Sequence, residues 1–515
     1  MSKKAALVSV SDRSGLKELA EELKKAGYEI LATTGSGKFL QENNIDFLSI
    51  EDYTGQKEIL GGRVKTLHPK IHAGLLAKRD DQEHIDQLAE DQILSIDIAI
   101  VNLYPFIENL KTDKINDPLT MIELVDIGGP TMIRAAAKNF QSVFPVIDPT
   151  DYPELIEIIK QGDDTIKSAL NFRKKLAVKV FKNLADYNLQ IAKYFSNVEM
   201  EDNTWKVDSS EKTQELRYGE NPHQVASFYK KLSAEGLNWK QLSGKELSYN
   251  NFLDFDAAFS LVKSLPRNEN AVAIIKHLNP CGVAVNDSLS QALINAKKGD
   301  PRSHFGGIIA FNQEVDEESA TEVSKDFCEI VIAPSYSETS LNILKKKKNL
   351  RIIEISFDSK EKFQTRSVAG GILVQEIDPG VSLVSEAELV SKAKPSDAEL
   401  RDLQFAWTIC AHVKSNAITI VKDNMLVSSG SGQMSRIDSV EIAKLKANIH
   451  DHNLNGAVAA SDAFFPFEDS VESLAEAGIK AIIVTGGAKR DPEVIELANK
   501  LGISLLFTKD RHFKH

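Results

Sequence analysis

Lys276 and His277 are the two neighbouring residues of this sequence that are best suited to catalysis. They follow the apolar run 271–275 and precede the segment 279–282 (NPCG), where a strand is expected to pass into a loop. Rigid frames present reactive side chains at such positions. A histidine takes up a proton near neutral pH, and an adjacent ammonium group can lower the pKa of that histidine or stabilise an oxyanion. A purely structural role fits these two residues equally well.

Two glycine-containing segments have compositions that suit anion binding. Residues 33–38 (TTGSGK) separate a short apolar run from a helical pattern, a place where free backbone N–H groups can bind phosphate. Ala32 and Phe39 stand where an ATP-binding P-loop needs glycine and a hydroxyl, so ATP hydrolysis through Mg²⁺ is not indicated and a plain loop is the alternative. Residues 61–69 (GGRVKTLHP) concentrate cations, a hydroxyl and an imidazole, which predicts either a binding loop or a surface turn.

A carboxylate and a lysine flank a third glycine loop. Residues 126–130 (DIGGP) lead into a helical pattern that places Arg134 and Lys138 on one face. We expect Asp126 and Lys138 to converge near one substrate, where they could exchange protons or stabilise an oxyanion, and a structural salt bridge is the alternative. The polar segment 216–224 (LRYGENPHQ) predicts either a further functional loop or a turn that merely carries polar side chains.

The sequence does not predict a metal site. His68 and His72 are four residues apart, but Pro69 disfavours a helix that carries both. The sequence has three widely spaced cysteines, Cys281, Cys328 and Cys410. This spacing argues against a disulfide framework and against cysteine-bound zinc. Zinc-dependent deamination is also excluded, because the second cysteine of the P-C-x-x-C motif is missing after residue 281.

The elements that must position these residues follow an α/β pattern. Short apolar runs at 5–10, 29–32, 96–103 and 143–147 alternate with amphipathic segments, which predicts a mostly parallel sheet. Residues 15–26 predict a helix, with Ser11 and Asp12 near its N-terminus and Gly27 after its end. The polar stretch 197–212 predicts a linker, and we place the domain boundary near residue 198.

Two stretches of the remaining chain are alike. Residues 274–279 (IIKHLN) and 412–416 (HVKSN) each precede a strand-like run. This similarity predicts a weak internal duplication and therefore two lobes. The lysine run 345–348 is typical of a solvated surface, so we assign it no function.

Length and charge limit the class of protein. A chain of 515 residues is long enough for several folded units, and 42% hydrophobic with 26% charged residues is typical of globular proteins. The net charge of -12 opposes bulk binding to nucleic acid or to an anionic membrane. The apolar stretch 93–106 is interrupted by Asp97 and Asn102, and the run 5–10 is too short for a secretory signal. We therefore expect a soluble, cytoplasmic protein.

Taken in order, the motifs resemble a bifunctional purine biosynthesis family that combines 5-aminoimidazole-4-carboxamide ribonucleotide (AICAR) formyltransferase with inosine monophosphate (IMP) cyclohydrolase. The first half of the chain carries SVSD at 9–12, GGRVKTLHP at 61–69, NLYPF at 102–106, DIGGPT at 126–131 and AAAKN at 135–139. The second half carries LRYGENPHQ at 216–224, IKHLNPCG at 275–282, FGGIIAFN at 305–312, VKSNAI at 413–418, GQMSR at 432–436, SDAFFPF at 461–467 and RHFKH at 511–515.

The resemblance implies two α/β regions with different activities. A methylglyoxal-synthase-like parallel-sheet domain over 1–198 would be the IMP cyclohydrolase. A region of two cytidine-deaminase-like lobes without zinc over 199–515 would transfer the formyl group. The resemblance also implies AICAR and formyl-AICAR as substrates, 10-formyltetrahydrofolate as co-substrate, no tightly bound cofactor, and a homodimer whose formyltransferase sites use both chains.

The resemblance assigns roles to individual residues. The implied catalytic residues are Lys276, His277, Asn416 and His515 for formyl transfer, and Lys65, Tyr104, Asp126 and Lys138 for ring closure. The implied substrate contacts are Ser9, Ser11, Arg13, Thr34, Gly35, Arg63, Thr66, Asn102, Gly128, Arg217, Tyr218, Phe305, Gly306, Arg436, Asp462 and Arg511. His277 would be the general base and Lys276 would stabilise the oxyanion. The chain departs from the family pattern at Arg13, Thr34, Ser36-Gly37, 428–431 and 484–485.

Two other functions would account for less of this sequence. A nucleotide-sensing binding protein on the same scaffold would lose the Lys276–His277 and Asp126–Lys138 pairs, and both pairs are present. A methylglyoxal-synthase-type lyase would account only for the N-terminal third of the chain.

Overall fold

The computed structural model describes residues 4–103, 106–110, 117–195, 210–231, 239–358 and 361–515. The chain divides into two compact units, Met1–Val207 (unit 1) and Asp208–His515 (unit 2). The boundary predicted near residue 198 and most of the predicted linker lie outside the described residues. Within the described ranges, no helix has both the length and the apolar composition needed to cross a membrane.

Unit 1 is built on a parallel sheet. In chain order its strands are β1 (Lys4–Ser9), β2 (Glu29–Ala32), β3 (Leu48–Ser49), β4 (Ser95–Val101) and β5 (Phe144–Val146). They lie in the order β3-β2-β1-β4-β5, and every neighbouring pair is parallel. The predicted parallel α/β domain is therefore confirmed. Because the strands are parallel, the carboxyl ends of all of them lie along one edge of the sheet.

Helices cover both faces of this sheet. They are α1 (Leu16–Lys25), α2 (Thr34–Glu42), α3 (Ile50–Thr54), α4 (Pro69–Leu76), α5 (Gln82–Glu90), α6 (Phe106–Asn109), α7 (Pro118–Ile122), α8 (Gly128–Lys138), α9 (Tyr152–Lys160), α10 (Asp163–Ser168) and α11 (Leu170–Phe195). Ala6 and Val8 of β1 share one core with α1, whereas Ala5 and Leu7 share another with α4 and α8. This alternation of buried side chains explains the apolar runs of the sequence.

The first helix lies within one residue of its predicted bounds at each end, but the predicted role of Ser11 and Asp12 at its N-terminus is wrong. The helix begins at Leu16, after Gly15 in a left-handed conformation with φ 68°. The Ser11 hydroxyl instead donates to the Leu103 carbonyl at 2.7 Å, and the Asp12 carboxylate accepts from the Ser14 N–H at 2.9 Å. These two side chains shape the loop that follows β1.

Unit 2 contains the remaining elements. Its strands are β6 (Ser210–Leu216), β7 (Ala226–Lys231), β8 (Trp239–Ser243), β9 (Asn270–Lys276), β10 (Asn279–Asn286), β11 (Ile308–Phe311), β12 (Ile330–Ala333), β13 (Arg351–Ile355), β14 (Phe363–Val368), β15 (Gly371–Glu376), β16 (Glu388–Leu389), β17 (Ile418–Lys422), β18 (Met425–Gly430), β19 (Val458–Ser461), β20 (Ala481–Thr485) and β21 (Ser504–Thr508). Its helices are α12 (Tyr249–Ser264), α13 (Leu289–Gly299), α14 (Glu317–Lys325), α15 (Glu338–Leu344), α16 (Asp397–Cys410), α17 (Arg436–Ile449), α18 (Asp469–Glu476) and α19 (Asp491–Leu501).

A 12-stranded sheet of unit 2 consists of two matching halves. Its order is β16-β21-β20-β19-β17-β18-β10-β9-β11-β12-β13-β8, and the halves meet at the antiparallel pair β10–β18. Each half begins at this junction with a hairpin, β10–β9 in one half and β18–β17 in the other. The third strand is antiparallel to its neighbour in the hairpin, the fourth and fifth strands continue parallel to the third, and the outermost strand is antiparallel to the fifth. Helices α12 and α16 pack on one face, with α13–α15 and α17–α19 on the other. The predicted two lobes are confirmed.

The two stretches that suggested the duplication are not equivalent in the fold. Residues 274–276 end β9, whereas residues 412–416 precede β17. The counterpart of β9 is β17, so the counterpart of the turn at His277 and Leu278 is the turn at Asp423 and Asn424. The duplication is therefore real, but the predicted correspondence within it is wrong.

We expect Gly282→Ala to destabilise unit 2. A Cβ atom at this position of β10 would lie 2.0 Å from the backbone oxygen of Ala296 in α13. Neither group can move without shifting a strand or a helix, so the free energy of unfolding should fall by about 1–3 kcal/mol or more. Gly371→Ala is the control, because a Cβ atom there meets nothing within 4 Å. Equal thermal midpoints for the two variants would contradict the prediction.

Candidate functional site

The carboxyl edge of the unit 1 sheet gathers most of the residues predicted for ring closure. The Asn102 side-chain oxygen, just after β4, accepts from the Ser11 N–H at 2.5 Å and from the Ser11 hydroxyl at 3.0 Å. The Asn102 amide group donates to the Asp12 carbonyl at 3.0 Å. Arg13 donates to the Gly35 carbonyl at 3.3 Å. Asn102 therefore holds the loop after β1 against the end of β4.

A cavity of about 270 Å³ opens at the same edge. Its lining includes the predicted residues Thr34 and Lys65, together with Thr33, Lys38 and Ser49. Thr33 precedes the first residue of α2 in an extended conformation, so the cavity lies beside a helix N-terminus. Two ammonium groups, against the single carboxylate of Glu51, together with the hydroxyls and this positive helix end favour an anionic ligand. Lys38 was not among the predicted site residues, although it lies one helical turn after Thr34.

The third glycine loop forms the N-terminus of α8. The Asp126 carboxylate accepts from the Gly129 N–H at 2.9 Å, and the Asp126 N–H donates to the Tyr187 hydroxyl at 2.8 Å. A Cβ atom on Gly128 would lie 2.4 Å from the hydroxyl oxygen of Thr66, which is buried. Gly128 is needed here because it lets the loop of Thr66 approach the helix.

Asp126 and Lys138 of the same chain do not lie near each other, so the prediction that they converge on one substrate is wrong within one chain. Lys138 is the last residue of α8, whereas Asp126 precedes its first residue. Ten residues of helix separate the two ends by about 15 Å. The Lys138 side chain is exposed at the opposite edge of the sheet.

Three other residues predicted for ring closure have separate positions. Arg63 forms an exposed ion pair with Glu123, and Ser9 ends β1 next to Thr33. Tyr104 lies outside the described residues.

In unit 2, His277 lies in the two-residue turn between β9 and β10. Its side chain is exposed, and that of Lys276 is half-buried. His277 and Leu278 have φ values of 51° and 66°, so both adopt left-handed conformations. Each such conformation costs a residue other than glycine about 1–2 kcal/mol. Two consecutive left-handed residues are the usual geometry of a two-residue β-hairpin, so what is unusual here is the leucine at the second position.

Lys276 is tied to a neighbouring loop. Its ammonium group donates to the Phe305 carbonyl at 2.8 Å. The Phe305 ring is 57% exposed and packs against Phe327 with a centroid distance of 5.5 Å. Gly306 has a φ of 74°, a conformation that favours glycine. The structure therefore brings together three predicted residues, Lys276, Phe305 and Gly306.

Asn279 connects the His277 turn to the other half of unit 2. Its amide group donates to the His277 carbonyl at 3.1 Å, and its side-chain oxygen accepts from the Lys414 N–H at 3.2 Å. Asn279 was not predicted as a site residue. Its place directly after the turn is the sequence feature that could have indicated this role.

Arg436 and Asp462 form a buried ion pair. The Asp462 carboxylate also accepts from the Ser415 hydroxyl and, at 3.1 Å, from the Ala417 N–H. Asp462 is completely buried and Arg436 nearly so, and the predicted contact of these two side chains with a substrate stays a prediction. They fix the segment 415–417.

The amide group of Asn416 is also used within the protein. It donates to the carbonyls of Gln433 at 2.9 Å and Met434 at 3.2 Å. The Asn416 carbonyl accepts from the Ser439 hydroxyl at 2.8 Å. Asn416 therefore holds the loop 432–434 beside the segment 415–417.

The C-terminal tail is extended and has two different faces. His512 is buried and Lys514 half-buried, whereas Arg511, Phe513 and His515 are exposed. The Lys514 carbonyl accepts from the Ser415 N–H, and the Lys514 N–H donates to the Ser415 hydroxyl, both at 3.0 Å. The tail is thus pinned beside the segment 415–417, with the predicted residues Arg511 and His515 on its open face.

Helix α12 links the segment 216–224 to the His277 turn. Asn250 donates to the Glu220 carbonyl at 3.3 Å. One helical turn later, Asp254 accepts from the Leu278 N–H at 2.7 Å. The predicted contacts Arg217 and Tyr218 lie in that segment, with the guanidinium group 5.6 Å from the ring centroid.

The cysteines and the described acidic and histidine side chains have no visible role in metal binding. Within the described ranges, no group of three or more His, Cys, Asp or Glu side chains is arranged to hold a metal ion. Burial raises the pKa of the Cys281 and Cys328 thiols to about 12. Neither thiol is therefore a reactive thiolate near neutral pH.

Comparisons with known proteins agree over the whole chain. The model of the AICARFT/IMPCHase bienzyme family matches residues 136–446, and that of the MGS-like domain matches residues 15–131. The bifunctional purine biosynthesis protein PurH of Oceanobacillus iheyensis is 46% identical over 99% of this chain and 100% of its own length. The protein of the same name from Caldicellulosiruptor saccharolyticus is 47% identical, again over 99% and 100%.

We expect the tail to loosen in acid through Asp378. The His512 ring donates to the Asp378 carboxylate at 2.7 Å, which lowers the pKa of that carboxyl group. Its stabilising effect is therefore present above the ordinary value of about 3.9 and is lost as pH falls through the lowered folded-state pKa. Asp378→Asn should reduce the denaturant midpoint at pH 6, and the difference from the parent should shrink toward pH 3. Glu376→Gln, on the same hairpin, is the control, and a pH-independent difference would contradict this prediction.

Proposed function

Because the chain belongs to the AICARFT/IMPCHase family of bifunctional purine biosynthesis proteins, we propose that unit 2 transfers the formyl group and that unit 1 closes the purine ring. The protein is an AICAR formyltransferase and IMP cyclohydrolase. The observation that carries the assignment to unit 2 is the exposed imidazole of His277 on a strained turn, joined by Asn279 to the segment 414–417.

In the proposed formyl transfer, His277 is the general base. The 5-amino group of AICAR is a weak nucleophile, because its lone pair is delocalised into the ring. His277 removes its proton as the nitrogen attacks the formyl carbon of 10-formyltetrahydrofolate, and a tetrahedral oxyanion forms. The bond to the folate nitrogen then breaks, and that nitrogen takes up a proton. General base catalysis contributes about 10²–10⁴-fold, so the positioning of two large substrates must contribute much of the rest.

Several neighbouring groups suit the two substrates. Lys276 is the proposed oxyanion-stabilising group, which would exchange its bond to the Phe305 carbonyl for one to the substrate. Arg217 and Tyr218 are proposed nucleotide contacts. Phe464 and Phe467, in the loop after β19, are 39% and 52% exposed. Exposed aromatic rings in a loop favour stacking on a flat heterocycle such as a pterin.

The proposed ring closure uses the carboxyl edge of unit 1. The carboxamide nitrogen of formyl-AICAR attacks the formyl carbon, and water is lost. Both reacting groups belong to one molecule, so orientation is the main contribution of the protein. Lys38, Lys65 and Thr34 of the cavity suit the nucleotide phosphate, and Asp126 beside the start of α8 suits proton transfer. Lys138 remains a proposed participant, which within one chain lies at the opposite edge of the sheet.

The proposed assembly is a homodimer in the cytoplasm. The hairpin of β14 and β15 supports it, because both strands are largely exposed. Ile372 and Leu373 on this hairpin are 47% and 59% exposed. A two-stranded sheet is only marginally stable alone, and exposed apolar patches mark protein interfaces. A second copy of the chain is the proposed partner.

His277→Ala should reduce formyl transfer by about 10²–10⁴-fold while the closure of supplied formyl-AICAR continues. Both steps can be followed by the absorbance of IMP, from AICAR with 10-formyltetrahydrofolate or from formyl-AICAR alone. Asp423→Ala is the matched control, because it changes the equivalent turn of the other half. Equal loss of both rates in a folded His277→Ala protein would disprove the assignment of the reactions to separate units.

Deleting residues 511–515 should reduce formyl transfer at least about tenfold and leave ring closure intact. The deletion removes the two bonds between Lys514 and Ser415 and the side chains of Arg511 and His515. The same two absorbance assays measure the result. Unchanged formyl transfer in the shortened chain would remove the tail from the proposed site.

A further inference from the structure

The two halves of unit 2 make the same turn from different residues. His277 and Leu278 join β9 to β10, and Asp423 and Asn424 join β17 to β18. The four φ values lie between 51° and 66°, so each turn holds two consecutive left-handed residues. Aspartate and asparagine tolerate this conformation, because their short polar side chains bond locally. Histidine is also found in this conformation more often than most residues, whereas leucine has no such advantage, so Leu278 is the strained residue of the first turn.

An aspartate binds the backbone of each turn from the same helical position. Asp254 is the sixth residue of α12, and Asp402 is the sixth residue of α16. Asp254 accepts from the Leu278 N–H at 2.7 Å. Asp402 accepts from the N–H groups of Asp423 at 2.9 Å and Asn424 at 2.8 Å. Each half of unit 2 therefore has a helix carboxylate that accepts hydrogen bonds from the backbone of a left-handed turn.

We propose that Asp254 is the positioning residue for His277. Its carboxylate binds the N–H of Leu278 and holds the turn in a conformation that leucine would otherwise disfavour, and the turn presents the imidazole outward at the end of β9. The inference rests on the proposed role of His277 as the general base. Asp254 itself touches the backbone of the turn and not the reacting atoms, so it is not a catalytic residue.

The position of Asp254 on α12 supports this role. Asn250, one turn earlier on the same helix, holds the segment that carries Arg217 and Tyr218. One helix therefore sets the distance between the proposed nucleotide contacts and the proposed base. Asp402 binds a turn that has no histidine, so it has the same structural role as Asp254 but positions no proposed base.

Asp254→Ala should lower kcat for formyl transfer by about 10–100-fold, because small displacements of a reacting group have effects of this size. KM for both substrates should change by less than about twofold. Ring closure of formyl-AICAR, proposed for unit 1, should be unchanged, and the thermal unfolding midpoint of the variant reports whether unit 2 is folded. Asp254→Asn, which keeps an acceptor oxygen, should restore most of the rate. Adding Leu278→Gly to Asp254→Ala should restore part of it, because glycine adopts the left-handed conformation without strain.

Asp402→Ala is the matched control and should lower the thermal midpoint while formyl transfer per folded molecule is kept. Equal loss of formyl transfer in the Asp402→Ala and Asp254→Ala proteins would overturn the proposal, and so would an unchanged rate in Asp254→Ala. Hydrogen exchange of a peptide covering residues 275–280 tests the Asp254 bond separately, and Asp254→Ala should accelerate it. If His277→Ala retains full formyl transfer while this exchange still accelerates, the role of His277 fails and the structural role of Asp254 stands alone.

Discussion

The buried carboxylate of Asp462 is the constraint on which the proposed formyl-transfer end of unit 2 depends. It binds the guanidinium group of Arg436, the Ser415 hydroxyl and the Ala417 N–H at once. Removing one partner of such a buried ion pair typically costs about 3–5 kcal/mol. Because Ser415 also binds both backbone groups of Lys514, the same carboxylate fixes the C-terminal tail. One buried charge thus determines where three separate segments of the chain meet.

Much of the fold could be predicted from the sequence, because buried strands have apolar runs of characteristic length. The strand Glu29–Ala32 was predicted to the residue. The strand Leu48–Ser49 was not predicted, because two residues are too short to show a pattern. The first helix was predicted to within one residue at each end, but the side chains expected at its N-terminus were wrong, because Gly15 precedes the helix in a left-handed conformation without a side-chain cap. Conformations of this kind leave little trace in composition.

The site was predicted less completely, because its contacts join residues that are distant in sequence. A glycine loop and a helical pattern correctly placed Asp126 at the start of α8, but a helix of known length already separates it from Lys138. The resemblance assigned Arg436 and Asp462 as substrate contacts, and nothing in their motifs shows that they also bind each other. Asn279 bridges the two halves through Lys414, and a sequence without an alignment gives no measure of such pairing.

The junction between β10 and β18, where Ala284 pairs with Met425, gives the two halves of unit 2 a physical advantage from being in one chain. Either half alone would leave its β10 or β18 with unpaired N–H and C=O groups along an open edge. Open edges of this kind recruit other strands and promote aggregation. Covalent fusion of two related halves supplies each edge with a partner at a high effective concentration that does not depend on the amount of protein in solution. A fragment that carries only one half should therefore self-associate through this edge.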